Sequence, residues 1–135
     1  MRRISTNSEF EKAVGYSRAV VDDDYVHVSG TTGFDFETME ISDDVAAQAH
    51  QAFANIARAL AAARVSFADL VRVTYYVADA DDFDALAPVF KQHLGPNPPA
   101  ATALVTQLID PRIKIEIEVT ARRPSPNRHL PKGEE

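Results

Sequence analysis

Two stretches decide how this chain folds: Pro98-Pro99-Ala100-Ala101-Thr102-Ala103-Leu104-Val105 and, beyond Asp110-Pro111, Ile113-Lys114-Ile115-Glu116-Ile117-Glu118-Val119. In the second, every other residue is a branched aliphatic, which is the period of a strand with one buried face. Ile113, Ile115, Ile117 and Val119 share that face, and Lys114, Glu116, Glu118 and Thr120 share the other. The pattern predicts strands over 102–109 and 113–122, joined at Asp110-Pro111, with acidic side chains opposite the isoleucines.

Upstream, Gly95-Pro96-Asn97-Pro98-Pro99 ends all regular structure. Before it, Phe83, Leu86, Phe90 and Leu94 recur at helical spacing and predict a helix over 82–94. Pro88 lies within that span, where it removes a donor and crowds the preceding turn. A kink is expected, or a helix that starts only just before the proline. Residues 70–77 are rich in β-branched and aromatic side chains and predict a strand. Val45, Ala49, Ala52, Phe53, Ile56, Ala59 and Leu60 form a longer helical stripe over 43–63, with Ser42 as the expected cap. Residues 18–21 and 25–30 flank Asp22-Asp23-Asp24 and read as a hairpin. Its second arm puts Tyr25, His27 and Ser29 on one face, Val26 and Val28 on the other. Gly30 then opens an expected loop, Thr31-Thr32-Gly33-Phe34-Asp35. Residues 1–9 are polar and expected to fray. Two helices and at least five strands predict a two-layer α/β domain, a mixed sheet with both helices on its isoleucine face. The opposite face mixes acids, threonines and leucines, which suits burial in an oligomer.

A length of 135 residues fits one domain over 1–123, followed by a polar, proline-bearing tail over 124–135 that is expected to be flexible. A net charge of -6 and scattered lysines and arginines argue against general nucleic-acid binding. The chain has no cysteine, which excludes disulfides, thiolate metal sites and cysteine nucleophiles. His27, His50, His93 and His129 lack metal-ligand spacing, so no metal is expected. Ser29 and Ser66 lack the context of a serine nucleophile. The arginines near the start precede no apolar run, and no stretch is long enough to cross a bilayer. A cytoplasmic protein without membrane contact is the expectation.

Several pieces recur in a consistent order through residues 14–122: Gly15-Tyr16, Val28-Ser29-Gly30, the helix marked by Gln48, Phe53, Asn55-Ile56 and Leu60, Asp69-Leu70-Val71-Arg72-Val73-Thr74, Asp82-Phe83, Pro99-Ala100 and Ile115-Glu116-Ile117-Glu118. In this the chain resembles the RidA family, also called the YjgF/YER057c/UK114 or L-PSP family. The resemblance implies a chorismate-mutase-like (YjgF-like) subunit, and a homotrimer with three clefts lined by adjacent subunits. For the deaminase branch it implies hydrolysis of enamines and imines to ketoacids and ammonia, with no metal or cofactor. That branch carries an arginine directly after Pro-Ala, where it pairs with the substrate carboxylate; here the position is Ala101. An alanine cannot supply the two charge-assisted hydrogen bonds of a guanidinium. The family asparagine and tyrosine of the second helix are replaced at Ala87 and Phe90.

Glu116 is the candidate catalytic residue, a carboxylate able to orient water or carry a proton at an imine carbon. Tyr16, Gly30, Phe90 and Ala101 are candidate substrate-binding positions: a ring and phenol closing the cleft, an amide near a ligand oxygen, a pocket-lining ring, and a small side chain where a cation is missing. Glu116, Tyr16, Gly30 and Phe90 also have plain structural readings, as a strand-face acid, a sheet-edge tyrosine, a turn glycine and a core phenylalanine. If a carboxylate is still bound, Arg18, Arg72 or Arg112 must hold it. The leading expectation is a hydrolase of a small imine, enamine or related carbonyl-derived species, assisted by Glu116. The alternative is a non-catalytic small-molecule binding or regulatory trimer using the same cleft. The ribonuclease label attached to the family gains nothing from an acidic chain.

Overall fold

The computed structural model describes residues 1–124. From its amino terminus the chain forms β1 (Arg2–Ile4), α1 (Glu9–Val14), β2 (Ala19–Asp22), β3 (Tyr25–Thr32), β4 (Phe34–Asp35), β5 (Glu40–Ile41), α2 (Val45–Ala62), β6 (Leu70–Val77), α3 (Phe83–Leu94), β7 (Ala100–Val105) and β8 (Ile115–Arg122). Six strands make one sheet in the order β1-β2-β3-β8-β6-β7, and β4 pairs with β5 apart from it. All neighbours are antiparallel except β6 and β7, so the sheet is mixed.

The alternation in β8 sets the layers. Ile113, Ile115, Ile117 and Val119 are all buried, and α2 packs over β8 and β3 on that face. The whole apolar stripe of α2 is buried against the sheet, from Val45 to Leu60. Alanines at 49, 52 and 59 let the helix axis come close, and Gly33 permits the closest approach of all. A β-carbon at Gly33 would stand 2.5 Å from the Gln48 carbonyl oxygen. Helix α3 packs on α2, where Phe90 stacks face to face on Tyr75 with ring centroids 3.7 Å apart.

The hairpin forms as expected: Asp22 pairs with Tyr25 across Asp23-Asp24, and Asp23 takes a positive φ of 46°. Val26 and Val28 point to the core while Tyr25 and His27 face out. Other expectations need correction. The two strands read on either side of Asp110-Pro111 are shorter or shifted, and although joined in the chain they do not pair, because β6 lies between them. Strand β7 stops at Val105, and β8 starts at Ile115. Between them the Asp110 side chain accepts from the Arg112 amide at 2.9 Å and the Asp110 carbonyl from the Ile113 amide at 3.0 Å, folding 110–113 into a turn.

Gly30 does not open a loop: β3 runs on to Thr32 through a bulge between Val28 and Thr31 in its pairing with β8. Residues 1–9 are ordered by pairing of β1 with β2 and by Ser8, which caps α1 in a reciprocal capping box with Glu11. Asp44, not Ser42, caps α2; its carboxylate accepts from the Ala47 amide at 2.8 Å. Helix α3 begins at Phe83 and keeps Pro88 well inside, where the proline has no N–H for the Asp84 carbonyl. The expected flexible tail lies, beyond Pro124, outside the described residues.

Candidate active site

Glu116 sits on the inner strand β8, opposite Thr32 on β3 and Tyr76 on β6. Its side chain leaves the sheet on the face away from the isoleucines. It does not stand up freely into solvent, because it lies across the bulge in β3. A β-carbon at Gly30 would be 2.5 Å from Glu116 Oε2, so only glycine leaves the carboxylate this position. The bulge and the glycine together explain the half-buried placement of Glu116. Burial pushes its carboxyl above the usual glutamate range; the Arg18 cation opposes the rise and the Glu118 charge adds to it.

Around Glu116 opens a cleft of about 610 Å³, lined by Tyr16, Arg18, Gly30, Phe36, Ile109 and Asp110 among others. Three segments meet there: the turn from α1 into β2, the bulged strand β3, and the loop before β8. Arg18 is 1% exposed and serves as the floor of the cleft rather than its mouth. Its Nη1 donates to the Gly30 carbonyl at 2.9 Å and to Thr31 Oγ1 at 2.8 Å. Its Nη2 donates to Tyr16 Oη at 3.1 Å. The rings of Tyr16 and Phe36 also lie near the guanidinium, at 5.4 and 5.3 Å from its carbon. The partner carboxylate is Glu11 Oε2, 4.0 Å from Arg18 Nε and beyond hydrogen-bond reach. Burial pushes the Glu11 carboxyl up, but hydrogen bonds from Thr6, Ser8 and Ser5 outweigh it and hold Glu11 below its usual range.

Glu118 lies two residues along the same face, and its Oε1 accepts from Tyr76 Oη at 2.5 Å. This hydrogen bond from the phenol, helped by slight desolvation and both nearby acids, pushes Tyr76 upward. Glu118 reaches both the cleft and an adjoining groove of about 250 Å³ that holds His27, Arg72 and Thr120.

Of the positions singled out in the sequence, the fold brings Glu116, Tyr16 and Gly30 into this one cleft. Phe90 is buried in the core against Tyr75 and does not line it. Ala101 lies on the exposed edge strand β7, paired with Val73 and two strands away from Glu116. Among the three arginines considered as substitutes for a missing cation, Arg112 is engaged by Asp110 at 2.8 Å and Arg72 donates to Thr102 Oγ1 at 2.6 Å. Arg18 is the one that shares the cleft of Glu116, and its Coulombic influence on that carboxyl marks it further. The sequence named Arg18 beside Arg72 and Arg112 and could not choose among them, since one polar residue before a strand carries no periodic signal. No group of three or more His, Asp or Glu positioned to hold a metal occurs among the described residues.

Comparison with known proteins agrees with this architecture. The family model described as Endoribonuclease L-PSP matches residues 6–123. The chain is 33% identical over 123 residues to the human protein named 2-iminobutanoate/2-iminopropanoate deaminase, covering 90% of each chain. A crystal structure from Mycobacterium tuberculosis, titled a member of the highly conserved YjgF/YER057c/UK114 family, is 40% identical with a TM-score of 0.82, covering 90% of this chain and 98% of that one. The YjgF gene product of E. coli is 29% identical with a TM-score of 0.81, covering 92% and 100%. The α/β fold, a mixed sheet with its helices on one face, is thus shared with solved relatives. This chain belongs to the RidA/YjgF/UK114 family, whose model bears the description Endoribonuclease L-PSP.

Proposed function

We propose that this protein hydrolyses a small imine, or the enamine in equilibrium with it, in the cleft beneath Glu116. The observation that carries the reading is the Glu116 carboxylate itself, half-buried against Gly30 and raised toward neutrality by that burial. A group so placed can take a proton at one step and return it at the next. Water adds to the electrophilic carbon as Glu116 takes one of its protons and passes it to the nitrogen, which gives the neutral carbinolamine. Glu116 then takes the carbinolamine hydroxyl proton and delivers it to the nitrogen. As the carbon–nitrogen bond breaks, the oxygen keeps the electron pair of its lost proton as the new carbonyl bond, and the products are a carbonyl compound and ammonia. The human relative's name, an iminobutanoate and iminopropanoate deaminase, belongs to this reaction class.

The substrate of this chain differs from that relative's in the grip on its carboxylate. Ala101 offers a methyl where the deaminase pattern has a guanidinium, which favours an uncharged, more apolar imine. We place the working site at the junction of subunits in a homotrimer. The exposed edge of β7, which carries Ala101 and the half-exposed Leu104, supports that reading, since one chain leaves it uncovered. In such an assembly Ala101 reaches a cleft from a neighbouring copy.

The test is steady-state hydrolysis of freshly generated 2-iminobutanoate and of an uncharged imine of similar size, by the native protein and its Ala101→Arg variant. The expected result is native turnover of the uncharged imine and a gain on 2-iminobutanoate in Ala101→Arg. Absence of turnover of both compounds by both proteins would remove the hydrolase reading and leave a non-catalytic binding module.

A further inference from the structure

Arg18 is a buried guanidinium without a hydrogen-bonded carboxylate, an arrangement that costs stability. Its nearest acid, Glu11, is already held by Ser5, Thr6 and Ser8, and stands 4.0 Å away. Both Nη1 protons are committed, to the Gly30 carbonyl and to Thr31 Oγ1. Thr31 in turn donates its own hydroxyl proton to the Ser29 carbonyl, so this hydroxyl can only accept from Arg18. One Nη2 proton goes to Tyr16 Oη. Since a guanidinium is never an acceptor, the phenol oxygen must accept. The Tyr16 hydroxyl proton is then left to point elsewhere, and it has no acceptor among the described residues.

We propose that Arg18 is a positioning residue that fixes the proton inventory of the cleft: it turns Tyr16 into a donor toward the ligand and holds Glu116 as an acceptor carboxylate. The inference rests on the reading of Glu116 as the proton carrier. It adds a recognition rule, that the bound species must present an acceptor atom, such as a carbonyl oxygen or an imine nitrogen, to Tyr16. Arg18 also ties the Gly30 carbonyl in place, and Gly30 is the residue over which the Glu116 side chain lies.

Other charged and titratable groups also face Glu116. Glu118 is on its own strand, Tyr76 on β6 is bonded to Glu118, Asp110 lines the cleft from the preceding loop, and Tyr16 stands beside Arg18. Lys114 shares the strand face but gives its Nζ to the Asp43 carbonyl at 2.6 Å. Asp110 is engaged by Arg112. That leaves Arg18 as the cation of the cleft that acts on Glu116, against Glu118.

The experiment is a carbon-13 titration of the Glu116 carboxyl in the native protein and in Arg18→Gln and Arg18→Lys. Loss of the cation is expected to raise the proton affinity of Glu116 about tenfold in Arg18→Gln, with the native midpoint restored in Arg18→Lys. A merely structural arginine would destabilise both variants and leave the midpoint alone; an unchanged midpoint in folded Arg18→Gln would overturn the proposal. A neutron structure of the native protein near pH 7 needs no variant. The proposal requires a deuteron on Tyr16 Oη directed into the cleft and none on Glu116, and a deuterated Glu116 would sink it. Neither measurement depends on turnover, so failure of the hydrolase reading would be seen separately.

Discussion

A β-carbon at position 30 would press against the Glu116 carboxylate from 2.5 Å, so Gly30→Ala should displace the carboxylate rather than merely stiffen a strand. Because the clash falls on the mobile end of a side chain, the expected result is a moved Glu116 carboxyl resonance with little change in urea unfolding. Asp110 offers a prediction in pH. Hydrogen bonds from the Arg112 side chain and amide hold its carboxyl at about 2 instead of its usual 3.8. A carboxyl lowered by folding adds stability above its unfolded value, and that stability is lost as pH falls through the folded one. In Arg112→Ala the Asp110 midpoint should return toward 3.8, which a carbon-13 titration would read. At this scale the sequence exposed Glu116, because its strand alternates so strictly. It hid the reason for Gly30, which lies in a contact across strands, and it could not choose Arg18 over Arg72 and Arg112, because the partners of Arg18 are gathered from positions 16, 30 and 31 by the hairpin and bulge.

Helix α2 is tied to the cleft by Gln48, which is fully buried. Its amide nitrogen donates to the Ser42 and Arg112 carbonyls at 2.7 and 2.9 Å, and its oxygen accepts from the Lys114 amide at 2.8 Å. One side chain thus anchors the loop that carries Asp110 and leads into β8. Gln48→Leu would leave three backbone groups without these bonds, at an expected cost of about 3 kcal/mol in chemical unfolding. Asn55 does similar work one level down, donating to the Thr32 and Phe34 carbonyls at 3.0 and 2.9 Å. The existence of α2 and β8 was plain in the sequence, because each has an apolar period that reports burial directly, and β6 was plain from its β-branched and aromatic residues. The order of the strands was not. That β6 separates β7 from β8 is set by long-range pairing, which leaves no local mark. Short elements escaped for a related reason: β1 has three residues and α1 six, too few to show a period.

Across the whole molecule, the surface left by one chain is uneven. Phe83, Leu104 and Val105 are exposed together around an apolar hollow of about 290 Å³ at the β7 edge, and Ile109 stands 92% exposed beside the cleft of Glu116. An open parallel edge of this kind is a liability for a lone subunit. Val105→Asp is therefore expected to lower the assembly state in sedimentation equilibrium while the far-ultraviolet dichroism stays native. If the native protein already sediments as one chain, the trimeric reading fails. If Glu116 carries the proton of an imine hydrolysis, ammonia release from the uncharged imine should separate the native protein from Glu116→Gln. The expected result is native turnover and a loss of at least about 100-fold in kcat for the isosteric amide, with fold and assembly intact. Turnover by Glu116→Gln within a few-fold of native would mean that Glu116 does not carry the proton.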